Sequence, residues 1–531
     1  MAAGAGVAKG SLAFVGTGLY AAGQITPEAL ASIREAERLF HLVVDPISSR
    51  WLQELHPSAE SLFDAYAHEK PRRASYDEME ARVLAPIRQG RSVCVALYGH
   101  PGVLVDPSHR AIEQARSEGH SARMLPGVSS EDCLFANLGI DPAARGCQSF
   151  EATDFLVRKR GFDPRSALIL WQIGAIGVTT YRREEPWSRG GLKILSEALR
   201  RRYPRGHRVA VYEASRFAIG EPSIQVLPLE RLGQARVSTS STLYVPPIDA
   251  SASGSSFQPR IEGVSRTRPV RAALTVVGTG YRVAGHVTPE THFVLESADR
   301  LFYLVTDPAT SAWLASLNPR AEPLSDCYRI GESGAAAVRR MVERILAPLR
   351  KDLEVCAAFS GHPAIGVPVS HEAVRRARTE GYPARLLPAI SFEDCLFADL
   401  GMDPGDNGRL LFDAGDFVRR APKIDTSSTL LLIQAGAVGV TSYRDGEEPD
   451  RAGLARLSEV LCRLYRADHE VVVYEISDFP MFDPTVEHVR ISDLSEAPMT
   501  IRSTLYVPPL AYAEKDPLVA ERLAAAARIA S

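Results

Sequence analysis

The sequence predicts an α/β chain made of two tandem copies of one domain, each copy built from two α/β lobes. Three features point there. A set of motifs recurs at one constant spacing, apolar β-branched runs alternate with amphipathic helical patterns, and glycine-bearing turns follow several predicted strands. Alternating strands and helices with buried strands are the pattern of α/β folds whose sheets are covered.

The repeat comes first because it sets the architecture. Val15-Gly16-Thr17-Gly18 returns as Val277-Gly278-Thr279-Gly280, and Gly99-His100-Pro101 as Gly361-His362-Pro363. Glu131-Asp132-Cys133-Leu134-Phe135-Ala136 returns as Glu393-Asp394-Cys395-Leu396-Phe397-Ala398, and Ser241 to Pro247 as Ser503 to Pro509. Each pair is offset by the same amount (277 − 15 = 503 − 241 = 262), so no insertion separates the copies. Between Gly99 and Ile140, 24 of 42 positions match their counterparts. A period of this size is a whole domain and excludes a solenoid. The expected organisation is a flexible N-terminus (1–10), a first copy (11–247), a Ser-rich linker (248–270), a second copy (271–509) and a helical tail (510–531).

Within one copy the elements follow in order. Ser11 to Val15 reads as a strand entering a glycine turn. Thr26-Pro27 opens a helix, since a capping hydroxyl followed by Pro in the first turn is a start signal. Leu39 to Val44 is a second strand, ended by Asp45-Pro46. Met79, Val83 and Ile87 share one face of a helix from about Ser75 to Arg88. Val93 to Leu97 is a buried strand leading into Tyr98-Gly99-His100-Pro101. A helix at 108–118, a strand at 121–125 and a helix at 129–138 follow, with a break between lobes at Gly127. Further strands fall near Leu168–Gln172, Val209–Tyr212 and Thr242–Val245, with a long helix near Leu192–Arg202.

Composition narrows the function classes. At 531 residues, 45% hydrophobic and 24% charged, the chain carries enough apolar material for large cores and is not a disordered polymer. A formal charge of −3 gives no electrostatic reason to expect nucleic acid or an anionic membrane. Seven cysteines without a CxxC pair or zinc-ligand spacing argue against a structural metal and for reduced thiols. With no apolar run long enough to span a bilayer and no signal-like N-terminus, the expectation is a cytoplasmic protein.

Several motifs could carry chemistry. Gly16-Thr17-Gly18 would let a ligand approach backbone amides, although a purely structural tight turn explains it equally well. Tyr98-Gly99-His100-Pro101-Gly102 sits at a carboxyl strand end, where open α/β sheets bind ligands; a Pro-fixed turn with a satisfied His is the plainer alternative. Ser129 is placed to cap its helix, which alone would account for it. Tyr66, Lys70, Arg72, Arg73 and Tyr76 form the densest cluster. Two phenols among cations can lower a Tyr pKa and hold a developing oxyanion. The second copy replaces Lys70, Arg72 and Tyr76 by Glu332, Gly334 and Val338, and over 67–77 only Ala74 is kept. The scaffold is retained while this loop is rewritten. Tyr98 and Gly127 also change, to Ser360 and Ala389.

On these residues, with Met124 to Phe135, Glu151 to Leu156 and Gln172, the first copy resembles the tetrapyrrole-methylase superfamily. Within it the chain resembles the borosin peptide backbone α-N-methyltransferases. The resemblance implies two lobes with S-adenosylmethionine bound in the cleft between them, and interlocking protomers. By motif position it implies donor contacts from Gly16, Gly18, Tyr98, His100, Val103, Ser129, Gln172, Tyr212 and Thr242, and catalysis by Tyr66, Arg72 and Tyr76. Phe63 departs from the family, which often has a further Tyr there. The substrate implied is a precursor peptide supplied in trans, because the tail ending in Ala-rich sequence reads as a helix and not as a repetitive core peptide. The second copy is expected to be a pseudoenzyme that serves the first as an intramolecular pseudo-dimer partner, with further homodimerisation of the chain left open. The alternatives are a tetrapyrrole or other small-molecule C-methyltransferase and a non-catalytic peptide- or donor-binding protein.

Overall fold

A computed structural model describes residues 9–182, 189–217, 220–248, 272–440, 442, 446 and 448–528. Most of the predicted N-terminal segment, nearly all of the predicted linker and the last three residues of the tail lie outside the described residues. Among the described residues no helix is long and apolar enough to cross a membrane.

The first lobe of copy one is a five-stranded parallel sheet. Its order is Glu60–Ser61, Arg38–Leu42, Ser92–Leu97, Ser11–Gly16 and Ser121–Leu125. Local capping sets its helices. Thr26 accepts from the Ala29 amide at the head of Pro27–Glu35, and Asp45 accepts from Ser48 at the head of Pro46–Leu55. The Asp45-Pro46 pair therefore ends one strand and starts a helix. Copy two builds the same lobe from Ala321–Pro323, Arg300–Leu304, Val355–Phe359, Leu274–Gly278 and Ala384–Leu386.

One element begins earlier than the sequence suggests. The helix expected from Ser75 runs Arg72–Ile87, so Arg72 and Tyr76 lie on its first turns and not in a loop. Pro71 is its N-cap residue and offers no side-chain cap, so the usual start signal is missing. The counterpart in copy two, Gly334–Leu349, starts at the equivalent residue. The rewriting at 67–77 has thus changed the side chains on a preserved helix.

The second lobes do not form two sheets. Their strands make one ten-stranded sheet that runs through both copies. From the copy-two edge the order is Thr485–Arg490, Glu470–Glu475, Thr504–Val507, Thr429–Ile433 and Arg409–Asp413. It continues into copy one with Cys147–Glu151, Ala167–Trp171, Thr242–Val245, Arg208–Glu213 and Ser223–Pro228. At the junction Arg409 faces Ser149, Leu410 faces Gln148 and Leu411 faces Cys147, all antiparallel. These pairs interchange under the repeat offset, so a pseudo-twofold axis passes through Gln148 and Leu410.

Alternation on these strands separates two cores. Leu168, Leu170, Val211 and Leu243 pack with Leu192, Leu195 and Leu199 of the helix Arg189–Leu199. Each such leucine contributes roughly 1.5–3 kcal/mol by leaving water. On the opposite face Ile169, Trp171, Ala210 and Tyr212 meet the helix Ser130–Leu138. That helix crosses to copy two and packs on its strand Ala384–Leu386, while Phe392–Leu400 reciprocates on Ser121–Leu125. The turn at Gly127 is where the chain leaves the first lobe, and the second sheet begins only at Cys147.

The axis is chemically asymmetric. Fully buried Arg409 contacts Glu131 of copy one and stands 2.8 Å from Glu393, the latter pair not aligned as a hydrogen bond. Its counterpart is Cys147. Beside it, Asp132 and Asp394, both capping-box residues of the crossing helices, also face each other in the interior.

Candidate active site

The carboxyl ends of the first-lobe strands and one end of the second-lobe strands converge in copy one. Gly16 follows the first strand, and a Cβ placed on it would fall 2.5 Å from both the Gly127 Cα and the Gly99 oxygen. Three backbone turns therefore touch there, an approach that the missing side chain of Gly16 allows. Gly18 has φ +67 and forms an isolated bridge with Gly99. Across the cleft, Thr242 and Tyr212 are register partners, and Gln172 follows the strand Ala167–Trp171. Gln172 adopts a left-handed backbone (φ 55), as does Gln434 in copy two (φ 53). Such strain in a non-glycine residue persists where a site over-determines it. Tyr98 joins the two sides. Burial, with some opposition from Arg216 of the second lobe, pushes its phenol up to about 12.

Several expected donor contacts are committed to structure. The Gly102 amide donates to His100 Nδ1 (2.9 Å), which leaves the proton on Nε2 to reach the Asp394 carbonyl of copy two (2.8 Å). Burial holds this histidine down to about 3, so it is neutral and both ring nitrogens are engaged. The Ser129 hydroxyl belongs to its capping box with Asp132. The Tyr212 hydroxyl donates to Asn137 at 2.8 Å. Val103 is half-buried and packs toward copy-two residues such as Phe392 and Leu396. What these turns and strand ends offer a ligand is chiefly backbone, ring faces and Gln172.

The predicted cluster divides. Lys70 donates to the Ala65 carbonyl (2.8 Å) and pairs with Glu78 (2.6 Å), so it staples the turn to the helix. Arg73 is 65% exposed and pairs with Asp77 and Asp106. Tyr66, Arg72 and Tyr76 remain together, half-buried. The rings of Tyr66 and Tyr76 meet edge-on at 6.5 Å. Burial raises the Tyr66 phenol well above its ordinary value, and contact with Tyr76 adds to this while Arg72 opposes it. The expectation that cations lower this phenol is therefore overturned, because desolvation outweighs the guanidinium.

Tyr181 was not anticipated. Its ring stacks on Tyr66 at 5.2 Å, and Phe63 meets both rings. A short backbone clasp fixes it there. Glu69 donates to the Tyr181 carbonyl (2.8 Å), Tyr181 to Lys70 (3.1 Å), and Arg72 to Thr179 (3.2 Å). A signal existed in the repeat, since Thr179-Thr180-Tyr181-Arg182 returns as Thr441-Ser442-Tyr443-Arg444.

Copy two fills the equivalent cleft. Over Gly99 the nearest atom to an added Cβ is Leu19 Cδ2 at 3.6 Å, but over Gly361 it is the Tyr281 hydroxyl at 2.4 Å. Tyr281 replaces Leu19 and lays its ring across the turn. Ala389 adds a methyl where Gly127 approaches Gly16.

The model of the tetrapyrrole (corrin/porphyrin) methylases matches residues 11–216 and again 273–477. A methyltransferase/ribosomally synthesized cyclic peptide gymnopeptides precursor of Gymnopus fusipes is 41% identical over 242 residues, 45% of this chain and 57% of its own length. A methyltransferase/ribosomally synthesized cyclic peptide omphalotin A precursor of Omphalotus olearius is 37% identical over 257 residues, 48% of this chain and 61% of its own. A methyltransferase/ribosomally synthesized type I borosin cyclic peptide precursor of Gymnopilus junonius is 38% identical over 330 residues, 57% of this chain and 78% of its own. The match thus spans less than two thirds of the first two relatives. Among solved structures, uroporphyrin-III C-methyltransferase from Thermus thermophilus complexed with S-adenosyl homocysteine is 16% identical with a TM-score of 0.32, covering 44% of this chain and 92% of that one.

Proposed function

The chain belongs to the tetrapyrrole (corrin/porphyrin) methylase family, and we propose that it methylates backbone amide nitrogens of a peptide with S-adenosylmethionine as donor. The observation that carries this reading is the Tyr66–Arg72–Tyr76 cluster packed on the first lobe of copy one, of which copy two keeps the first tyrosine as Tyr328 but loses Arg72 and Tyr76 from the equivalent helix. The relatives' names join a methyltransferase to a cyclic peptide precursor, which supports a peptide substrate. Copy one (11–247) is the working unit. Copy two (271–509) is its intramolecular pseudo-dimer partner, and the peptide is a separate chain.

The donor fits the cleft of copy one. Its touching turns at Gly16, Gly99 and Gly127 leave room over Gly99, Gln172 and Thr242 close the far side, and Tyr98 joins the two. When bound, the donor supplies an electrophilic methyl group. An amide nitrogen shares its lone pair with the carbonyl, so it becomes nucleophilic only as its proton leaves and charge moves to oxygen. Arg72 and Tyr76 bind that oxygen as charge develops. Tyr66 takes the nitrogen's proton directly or through Tyr76. Orientation by the clasped cluster does the rest.

Because burial raises the Tyr66 phenol, its basic form is scarce at neutral pH and grows with each unit of alkalinity. With donor saturating, the methylation rate should climb about tenfold per pH unit between roughly pH 7 and 10. A plateau or bell centred near neutrality would show that another group takes the proton.

The primary test incubates the full chain with S-adenosylmethionine and apolar synthetic peptides and follows peptide mass. Steps of one methylene, located on backbone nitrogen by fragmentation, support the reading. Turnover of a porphyrinoid alone would replace it. Mass gain on the chain itself would mean self-methylation and not a separate substrate.

A second expectation concerns stoichiometry. With Tyr281 laid against the Gly361 turn and Ala389 against Gly278, copy two is expected to bind no donor, so calorimetric titration should give one site per chain. Tyr281→Leu with Ala389→Gly should open a second. Two tight sites in the unaltered chain would refute the filled cleft.

A further inference from the structure

The last helix of the chain, Pro517–Arg528, lies on copy one. Val519, Leu523 and Ala527 form its inward face at helical spacing, and Leu523 is 1% exposed. Its approach is anchored from residue 513 onward. Arg158 donates to the Ala513 carbonyl, Lys159 pairs with Asp516, and the Asp516 amide donates to Val157 at 2.8 Å. Farther along, backbone meets backbone at two glycines. A Cβ on Gly177 would come 2.9 Å from the Leu523 carbonyl, and one on Gly190 2.7 Å from that of Ala526.

Gly177 stands at the root of the segment that clasps the catalytic cluster. Ala175 and Val178 pack against Ala527. Next in sequence, Thr179 accepts from the Arg72 amide, Thr180 bridges Pro71, and Tyr181 exchanges backbone bonds with Glu69 and Lys70 while stacking on Tyr66. An unbroken path of contacts therefore links the end of the chain to the cluster near its start. Leu523 touches Gly177, the 177–181 segment touches Arg72, and Tyr181 touches Tyr66.

We propose that the C-terminal helix is a positioning element for the active site of copy one, acting through Leu523 on the 175–182 segment and thereby on Arg72 and Tyr66. This deepens the methyl-transfer reading and rests on it for the effect on rate. The helix supplies no group to the reaction. It holds the backbone from which Tyr181 and the first turn of Arg72–Ile87 hang. A 12-residue helix is marginally stable alone, so it keeps its shape by docking and is released by a small change in its inward face. Copy two thus serves the working site in a second way, by carrying this helix to it.

The test uses two variants of the full chain, one lacking residues 517–531 and one with Leu523→Asp. Amide hydrogen exchange is followed by mass spectrometry over 66–76 and 175–182, with strand 11–16 as internal reference. Exchange in the two clasp segments should accelerate about tenfold or more while the reference strand holds. In turnover, kcat should fall about tenfold or more with the donor's KM unchanged, as expected when reacting groups are misplaced but donor contacts are intact. Unchanged exchange in the clasp overturns the proposal. So does acceleration throughout copy one, which would mean that the helix only stabilises the fold. If the unaltered chain methylates no peptide and the clasp still loosens on truncation, positioning stands and the peptide reading falls.

Discussion

Arg72→Ala is expected to abolish methyl transfer while leaving donor affinity within about twofold, because removing one preorganised donor to a developing oxyanion costs on the order of 10²–10³ in kcat. The guanidinium sits on the first turn of Arg72–Ile87, with its backbone fixed to Thr179 and its charge felt by Tyr66. An imidate gathers charge on oxygen only as the proton leaves nitrogen. A fixed cation therefore favours the transition state over the neutral amide, and its loss lowers kcat without raising KM in proportion. Tyr76→Phe should lose nearly as much, since it deletes both a donor to that oxygen and the partner of Tyr66. Single-turnover kinetics with calorimetry of donor binding separates the two effects. Turnover like that of the unaltered chain in both variants would remove these residues from the mechanism. Copy two supplies a natural contrast, with Gly334 and Val338 on the same helix.

Arg409→Met is expected to cost the whole chain about 3–5 kcal/mol, as breaking a buried ion pair by deleting one partner does. The methionine keeps much of the volume and removes the cation between Glu131 and Glu393. Two buried carboxyls would then face each other with nothing to offset them. Pairing the change with Glu131→Gln and Glu393→Gln should recover a large part of the loss, since neutral amides leave no charge unpaired. Chemical denaturation of the unaltered chain, the single variant and the triple variant measures both effects. A loss under about 1 kcal/mol for the single variant would mean that one glutamate already carries a proton and the other needs no cation. The same acids set a pH dependence. Burial raises Glu393 to about 8 and Asp132 to about 6, so the folded chain keeps protons that an unfolded chain releases near their ordinary values. Between those ordinary values and the raised ones the native state binds more protons. Stability therefore falls as pH rises through this window and levels off above about 8. Thermal unfolding should show this loss between mildly acidic pH and about pH 8.

What could be read from sequence was local or repeated. Thr26-Pro27, Asp45-Pro46 and Ser129 declare helix starts because the capping atoms lie within three residues of the amides they satisfy. The glycines at 16 and 18 mark turns whose geometry needs them. The division of Tyr66, Arg72 and Tyr76 from the rest of copy one was visible because the second copy lacks two of them. What escaped depends on distance along the chain. Arg72 was placed in a loop because Pro71 gives no side-chain cap. Tyr181 meets Tyr66 only through folding, and the direction of the Tyr66 shift follows from burial that no local pattern states. Lys70 and Arg73 look catalytic in a list of nearby charges, yet their partners Glu78, Asp77 and Asp106 hold them outside the cluster. Cys147 read as a free thiol, and its importance is that its counterpart is an arginine.

The sheet shared by both copies also sets the order of events when the chain is made. Strand Cys147–Glu151 has Ala167–Trp171 on one side but must wait for Arg409–Asp413 on the other, and helix Ser130–Leu138 must wait for Ala384–Leu386. At about 5–20 residues per second, ribosomal synthesis leaves that strand edge and apolar helix face uncovered for tens of seconds. Contacts this remote in sequence also close slowly. The nascent first copy is thus a half-built structure with an open sheet edge, the kind of surface that pairs with strangers. Fusing the partner to the same chain sets a high local concentration of the one correct partner and shortens that exposure. Expression of the first copy by itself is where this vulnerability would show as aggregation.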